Sequence, residues 1–499
     1  MNTTIVPGIR AIGLVAMILP GLALPATTYQ DYAAAEKALQ EQQERIYTLA
    51  DRNGRYHESL VEPLQQLLLQ QLEVNRYDEA AANAEYAIQV VRTSYGLKTP
   101  QQYDLQQIAV QIDLLRQDWE AINQRLDYYS TLILSNYWGT IPDRISRLLW
   151  LADMHVRGGI EDIEDKQAAH MREATWLNET AIGYAEKHGL GNTRLFAEML
   201  YSLTQKYYLE TRAISDGGAT SYRLRQVHPT VHRVQDKFDA LDRRHAAGLV
   251  ALTELRELFR RVPGFGAEAI AMSELYIADW NALYNHSDDI NADYQRAMTS
   301  MREAGITQVR IDRFFSSPVA IPSTRFDWRL ADAMSIIDSG SGPVESMNAG
   351  DGTATIYRLS LLEPASHLAG FTQELALVDW RGGLLEDWSK ITVSMTLNPD
   401  RQVTVLNNAF RTKSMVTGTG VELLDSEANR KTTRRAINRI KTLSFRPAFR
   451  NGEAVTSNLE VEYLVRDSAQ PSVTPLIFEH WQAGFNEPNR NASLVVAAE

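Results

Sequence analysis

From about Tyr29 to Gly305 the chain is a succession of helical apolar patterns with polar breaks and almost no alternating runs of strand type, which confines this half to α-helix. Leu60, Leu64, Leu67, Leu68 and Leu72 make one stripe on a helix expected to end near Asn75. A second helix opens at Tyr77-Asp78-Glu79-Ala80, runs through Ala84, Ala87, Ile88 and Val91, and stops at Tyr95-Gly96, where glycine accepts a left-handed backbone. The pair then recurs. Ile108, Ile112 and Leu115 mark the next first helix, Asp118-Trp119-Glu120-Ala121 opens its partner, and Tyr137-Trp138-Gly139 closes it, so Glu79-Ala80 and Glu120-Ala121 are related by a shift of about 41 residues. A third echo places Ala278-Asp279-Trp280 on one helix and Ala292, Tyr294 and Ala297 on the next. A helical hairpin cannot bury its apolar face alone, so repeated hairpins must stack, leaving an extended groove that suits another chain.

An aromatic and an acidic residue ahead of alanine at the start of the second helix, as in Tyr77, Glu79 and Ala80, resembles the tetratricopeptide repeat, as do Trp119, Glu120 and Ala121 one residue shorter. Residues 27–310 are accordingly expected to form a TPR-like α-solenoid. The aromatics in this region, Trp119, Trp150, Trp176 and Trp280 among them, are read as packing between helices.

At 499 residues and 44% apolar, the chain can bury substantial cores. Its net charge of -12 argues against a nucleic-acid partner, which would need a basic surface to neutralise phosphates. With no cysteine there is no disulfide, thiolate metal site or thiol nucleophile, so packing alone must hold the fold. Arg10 precedes the apolar run Ala11–Leu19, followed by Pro20-Gly21 and the small residues Ala23 and Ala26, the order of features in a secretory signal peptide. The uncharged stretch 11–24 is shorter than the ~20 residues of a spanning helix. Residues 1–26 are therefore expected to be removed and the protein to act in the periplasm; retention would anchor it in the inner membrane.

After Arg313-Phe314-Phe315, breakers such as Pro318, Pro322 and Asp338–Pro343 point to a linker over 311–350. Strands are expected at Thr353–Leu359 and Glu374–Val378, then at Ile391, Val393, Met395 and Leu397, which alternate with polar residues. Asn398-Pro399-Asp400 should turn the chain into a return strand beginning Val403-Thr404-Val405, and Ser426 should cap a helix through Ala436 and Ile440. A last strand carries Leu459, Val461 and Tyr463 on one face and Glu460 and Glu462 on the other. The fold class read from the whole is mainly α, with a small α+β domain over 351–469 and a tail over 470–499, where Trp481 and Phe485 are read as docking back on the fold.

Strand, strand, helix, strand, with Phe445-Arg446-Pro447-Ala448 and Asn451-Gly452 before the last strand, resembles the C-terminal domain of TonB over about 391–466. The resemblance implies an antiparallel sheet with a helix on one face and a strand able to pair with an extended peptide; Leu459, Glu460, Val461, Glu462 and Tyr463 are the candidate pairing residues. The long proline-rich segment of an energy transducer is missing, as are the tyrosine-proline lead-in residues, so the fold carries over more readily than the transducer activity. Basic residues crowd the domain's helix: Arg430, Lys431, Arg434, Arg435, Arg439, Lys441, Arg446 and Arg450, a solvated helix face or a contact for membrane or cell wall.

Catalytic signatures are sparse. No nucleophile elbow, phosphate loop or dinucleotide fingerprint occurs. His228 and His232, with His245 further on, have a spacing that suits a metal ion, but no glutamate follows the first as in zinc proteases and no third ligand is identifiable. The acidic run Glu161-Asp162-Ile163-Glu164-Asp165 is read as favouring a helix N-terminus. The expected function is thus a periplasmic adaptor or scaffold that binds envelope proteins without cofactor, metal or catalysis. A diverged TonB-type energy coupler is the alternative, and a metal-dependent hydrolase a more distant one.

Overall fold

The structure is a computed structural model that describes residues 29–135, 139–162, 164–216, 234–284, 289–323, 326–336, 356–362, 388–399, 418–441 and 443–466. The expected export signal, His228, His232, the strands expected at Glu374–Val378 and Val403–Val405, and the tail lie outside those residues.

The helical half runs α1 (Tyr29–Asn53), α2 (Val61–Glu73), α3 (Tyr77–Tyr95), α4 (Gln102–Leu115), α5 (Trp119–Ser135), α6 (Ile141–Glu161), α7 (Glu164–Lys187), α8 (Arg194–Asp216), α9 (Val234–Arg261), α10 (Gly266–Tyr284), α11 (Ile290–Glu303) and α12 (Gln308–Phe315). Each packs on the next in chain order, which is the stacking that the repeated apolar stripes require. The five leucines from Leu60 to Leu72 are all buried, and Ala80, Ala84 and Ala87 are fully buried on α3, where a small side chain lets neighbouring helices approach. The tight turns before α3 and α5 place Asn75 and Gln117 at φ 62° and 55°, and the Asp118 carboxylate caps α5 by accepting from the Ala121 amide at 3.1 Å. α4 joins two apolar cores: Leu105, Ala109, Ile112 and Leu115 face the one toward α1, while Tyr103, Val110 and Leu114 face the one that continues through the later helices. Arginines stitch successive hairpins, Arg125 of α5 to Glu85 on α3 and to the buried Asp113 on α4, and Arg147 of α6 to Asp104 on α4 at 3.0 Å.

The stretch expected as a linker is partly folded. β1 (Val319–Ile321) and α13 (Leu330–Ile336) lie over the stack. The Tyr276 hydroxyl donates to the Asp327 carbonyl at 2.6 Å, and Glu268 accepts from the Leu330 amide at 2.6 Å.

Beyond it, β2 (Ile356–Leu362), β3 (Trp388–Leu397), β4 (Gly418–Ser426) and β8 (Ser457–Arg466) form a sheet in the order β2-β8-β3-β4. The β8–β3 and β3–β4 ladders are antiparallel, whereas β2 runs parallel to β8. Among the described residues the return strand against β3 is thus 418–426, further along the chain than its expected start at Val403. α14 (Arg430–Ile440) covers one face, where Ala436 and Ile440 meet Ile391, Val393, Met395, Leu397, Leu459, Val461 and Tyr463. Its cap is Asn429, which accepts from the Lys431 and Thr432 amides; Ser426, the expected cap, ends β4 and bonds the Thr433 hydroxyl instead. Between α14 and β8 lie three short strands, β5 (Ser444–Arg446), β6 (Ala448–Arg450) and β7 (Glu453–Val455).

Candidate interaction surfaces and two buried polar clusters

The repeat-type residues divide into buried spacers and exposed openers. Ala80, Tyr294, Ala297 and Trp280 are buried, Tyr77, Trp119 and Ala121 are half-buried, and Glu79 and Glu120 point to solvent. Trp280 packs against α9, its indole N–H donating to the His245 carbonyl at 2.9 Å, in a space that exists because residue 248 is glycine. Trp150 is likewise core, but Trp176 is 44% exposed, so the packing role expected for it does not hold. At one end of the first hairpins Tyr56, Tyr95 and Leu97 are exposed together; the Ser94 hydroxyl donates to the Tyr56 carbonyl at 2.6 Å and Tyr86 packs edge-on to Tyr56 at 6.3 Å.

The segment that resembles TonB is not free. Phe445, Arg446, Pro447 and Ala448 are buried, and they join the sheet domain to the end of the helical stack. β5 pairs with β1, register Phe445 to Ala320. Arg446 makes a two-pronged contact with Asp279 of α10, at 3.0 Å through Nε and 2.6 Å through Nη2, and the Tyr294 hydroxyl of α11 donates to the same carboxylate at 2.8 Å. Burial opposes the Arg446 charge, but Asp279 outweighs it and holds the guanidinium well above its ordinary pKa; burial, then Asp279, pushes the Tyr294 phenol up. Phe314 and Phe315 stack beneath the guanidinium, and Phe449 meets Tyr294 and Phe315 edge-on at 5.2 and 5.6 Å. The Asn451-Gly452 pair takes φ 54° and 82° at the tip of the β6–β7 hairpin, the two left-handed positions of a type I′ turn. That tip is tied to α11: Gln295 donates to the Gly452 carbonyl and Asn291 accepts from the Ala454 amide at 2.9 Å. Arg446 therefore leaves the basic face, whose exposed members among the described side chains are Arg430, Lys431, Arg434, Lys441 and Arg450.

The strand expected to accept a peptide is an interior one. β8 lies between β2 and β3, paired with β2 from Asn458 to Leu464 and with β3 throughout, so the backbones of Leu459, Glu460, Val461, Glu462 and Tyr463 are paired on both sides. Leu459, Val461 and Tyr463 are buried, and Glu460 and Glu462 are half-buried on the other face. Among the described residues β4 is an edge, with no strand on its outer side. It carries Leu423 and Leu424 at 47% and 54% exposure between the exposed acids Glu422 and Asp425, with Glu427 just beyond.

A second buried polar cluster lies between α6 and α7. His155 of α6 and His170 of α7 are buried with their Nδ1 atoms 2.9 Å apart, and His170 Nε2 lies 3.0 Å from Asp162 Oδ2. Asn123 of α5 donates to the same Asp162 oxygen at 2.9 Å, and Trp119 meets the His170 ring edge-on at 6.0 Å. Burial drives the His155 pKa down to about 3, helped by His170, and burial lowers that of His170 against the pull of Asp162. Asp162 thus caps the end of α6 and points inward, while Glu164 and Asp165 of the same acidic run open α7, the helix N-terminus expected for it. Its sequence signal was Gly158-Gly159: a Cβ at residue 158 would stand 2.7 Å from His170 ring atoms, so the close approach requires glycine.

His245 bonds Asn281 at 3.1 Å, a contact between adjacent helices. Among the described residues no group of three or more His, Cys, Asp or Glu is placed to hold a metal ion, and no helix is long and apolar enough to cross a membrane. No protein-family model matches the chain, and no curated protein matches it.

Proposed function

We propose that this chain is a non-catalytic adaptor of the bacterial cell envelope, a TPR-like stack joined to a TonB-C-like sheet and working in the periplasm after export. One partner sits on the helical stack, where Tyr56, Tyr95 and Leu97 offer aromatic and apolar surface of the kind that anchors protein contacts. The second is an extended segment that adds to β4, its apolar residues covering Leu423 and Leu424 and its Lys or Arg residues meeting Glu422, Asp425 and Glu427. The observation that carries this reading is the buried Arg446–Asp279 joint, which fixes the two surfaces relative to each other as a scaffold requires.

Photo-crosslinking of the full chain in cells, from Leu97 and separately from Leu424, followed by mass spectrometry, tests it. The expected result is a distinct envelope protein from each position. Absence of protein adducts from both would end the adaptor reading, and an N-terminal segment retained in the mature protein would move the weight to an energy coupler.

A further inference from the structure

The His155–His170–Asp162 cluster has a proton inventory that its geometry dictates. Two imidazole nitrogens 2.9 Å apart share one hydrogen, so one donates and the other accepts. With Asp162 ionised, His170 carries its proton on Nε2 toward the carboxylate, and His155 must then donate from Nδ1 to the His170 Nδ1 lone pair. A first added proton fits without movement. It enters at His155 Nε2 while the shared proton passes to His170 Nδ1, which makes His170 an imidazolium held between Asp162 and the His155 Nδ1 lone pair. A second added proton sets two N–H groups face to face at 2.9 Å, an arrangement with no acceptor, and the contact must open.

Both rings are buried, and the His170 ring has no room to turn aside. The His170 ring lies against Gly158 on α6, while α5 supports the cluster through Trp119 on the His170 ring and Asn123 on Asp162. The charges felt by His170 come from Asp162 and Lys166 on its own hairpin and from Asp127 on α5; His155 feels His170.

We propose that His155, His170 and Asp162 form a proton-operated switch that parts α6 from α7 under acid while the preceding hairpins stay closed. In the parted state each histidine takes its proton freely, so lowering the pH favours parting by up to two protons' worth of linkage. The consequence is local: the stack loosens in its middle, between the aromatic end and the joint to the sheet.

Hydrogen exchange of the full chain at pH 7.5 and 5.0, corrected for intrinsic exchange rates, is the test. Amides of α6 and α7 are expected to lose at least tenfold more protection than those of α2, α3 and α4. The variant His155→Gln is expected to abolish the difference, because an amide can donate to His170 Nδ1 when neutral and accept from it when charged. Uniform loss along the stack, or equal loss in His155→Gln, overturns the switch. Should that variant not fold, two-bond proton–nitrogen NMR of the wild-type histidines decides: the neutral pair must show His155 as the Nδ1–H tautomer and His170 as the Nε2–H tautomer, and any other assignment overturns it.

Discussion

The joint between stack and sheet and the seam between α6 and α7 both bury polar groups that water would otherwise solvate, and they do it in opposite ways. At the joint the groups are a guanidinium and a carboxylate, and Asp279 raises the pKa of Arg446 despite burial, so the guanidinium stays charged across the accessible range. At the seam the imidazoles are held neutral by burial and joined through a shared hydrogen. Fixed, mutually satisfied charges make a contact whose geometry does not answer to pH. Neutral titratable groups make one that lasts only while the proton count is right.

Removing one side of the joint is the harshest way to break this contrast. Arg446→Met leaves Asp279 buried with the Tyr294 hydroxyl as its remaining donor among these contacts, and loss of one member of a buried pair costs about 3–5 kcal/mol. Urea unfolding should show that loss. Adding Asp279→Leu to the same chain should restore most of it, since no buried charge is then left alone. A double variant as weak as the single one would mean the joint depends on the aromatic packing of Phe449, Tyr294 and Phe315 instead.

Acid is the next lever, and its sign follows from the lowered histidine pKa values. Unfolded histidines take protons near pH 6.5, while the folded His155 resists until about pH 3, so the unfolded state binds more protons in between. The seam's stability is complete above about 6.5 and declines as pH falls toward 3, by about 1.4 kcal/mol per pH unit for each extra proton bound on unfolding. Denaturation midpoints measured from pH 8 to 4 should follow that slope in the wild type and a shallower one in His155→Gln.

A close approach in the apolar core gives a smaller effect with a sign that two magnitudes decide. Gly248→Ala gains about 1 kcal/mol of helix propensity on α9 but sets a Cβ 2.0 Å from the Trp280 ring, and such overpacking costs about 1–3 kcal/mol. The expected net result is destabilisation, seen as a lower thermal midpoint; a rise would mean that Trp280 can shift without loss of its bond to His245.

What could be read from the sequence was whatever depends on local periodicity. The leucine stripe of α2, the small residues of α3, the openings of α3 and α5 at Tyr77 and Trp119, and the inward face of β3 all follow from spacings of three, four or two, and the structure places them so. What could not be read depends on contacts between distant segments. Asp279 and Arg446 are 167 residues apart and look like an ordinary helical acid and one more member of a basic cluster. The β2 strand pairs with β8 although about a hundred residues separate them, and that pairing turned the expected edge into an interior strand. The His155–His170 pair did carry a local trace in Gly158-Gly159, two residues that weaken a helix and so call for a packing reason.

The mildest perturbation asks whether the tip of the β6–β7 hairpin helps to hold the joint or merely rests on it. Gly452 sits at φ 82°, where an alanine is strained by about 1 kcal/mol or slightly more, and its Cβ would meet the Gln295 side-chain amide at 2.5 Å. Because that neighbour is the far end of a flexible side chain, Gln295 can swing away, so the steric part is small and the lost bond to the Gly452 carbonyl is the main further cost. Gln295→Ala removes the bond without straining the turn. If the tip helps to hold the joint, Gly452→Ala and Gln295→Ala should both speed proteolysis between the stack and the sheet, and Arg446→Met should make each redundant. If the tip merely rests on α11, Gly452→Ala will lower stability through its backbone alone and Gln295→Ala will change nothing, leaving Arg446–Asp279 and the aromatic cluster as the whole of the joint.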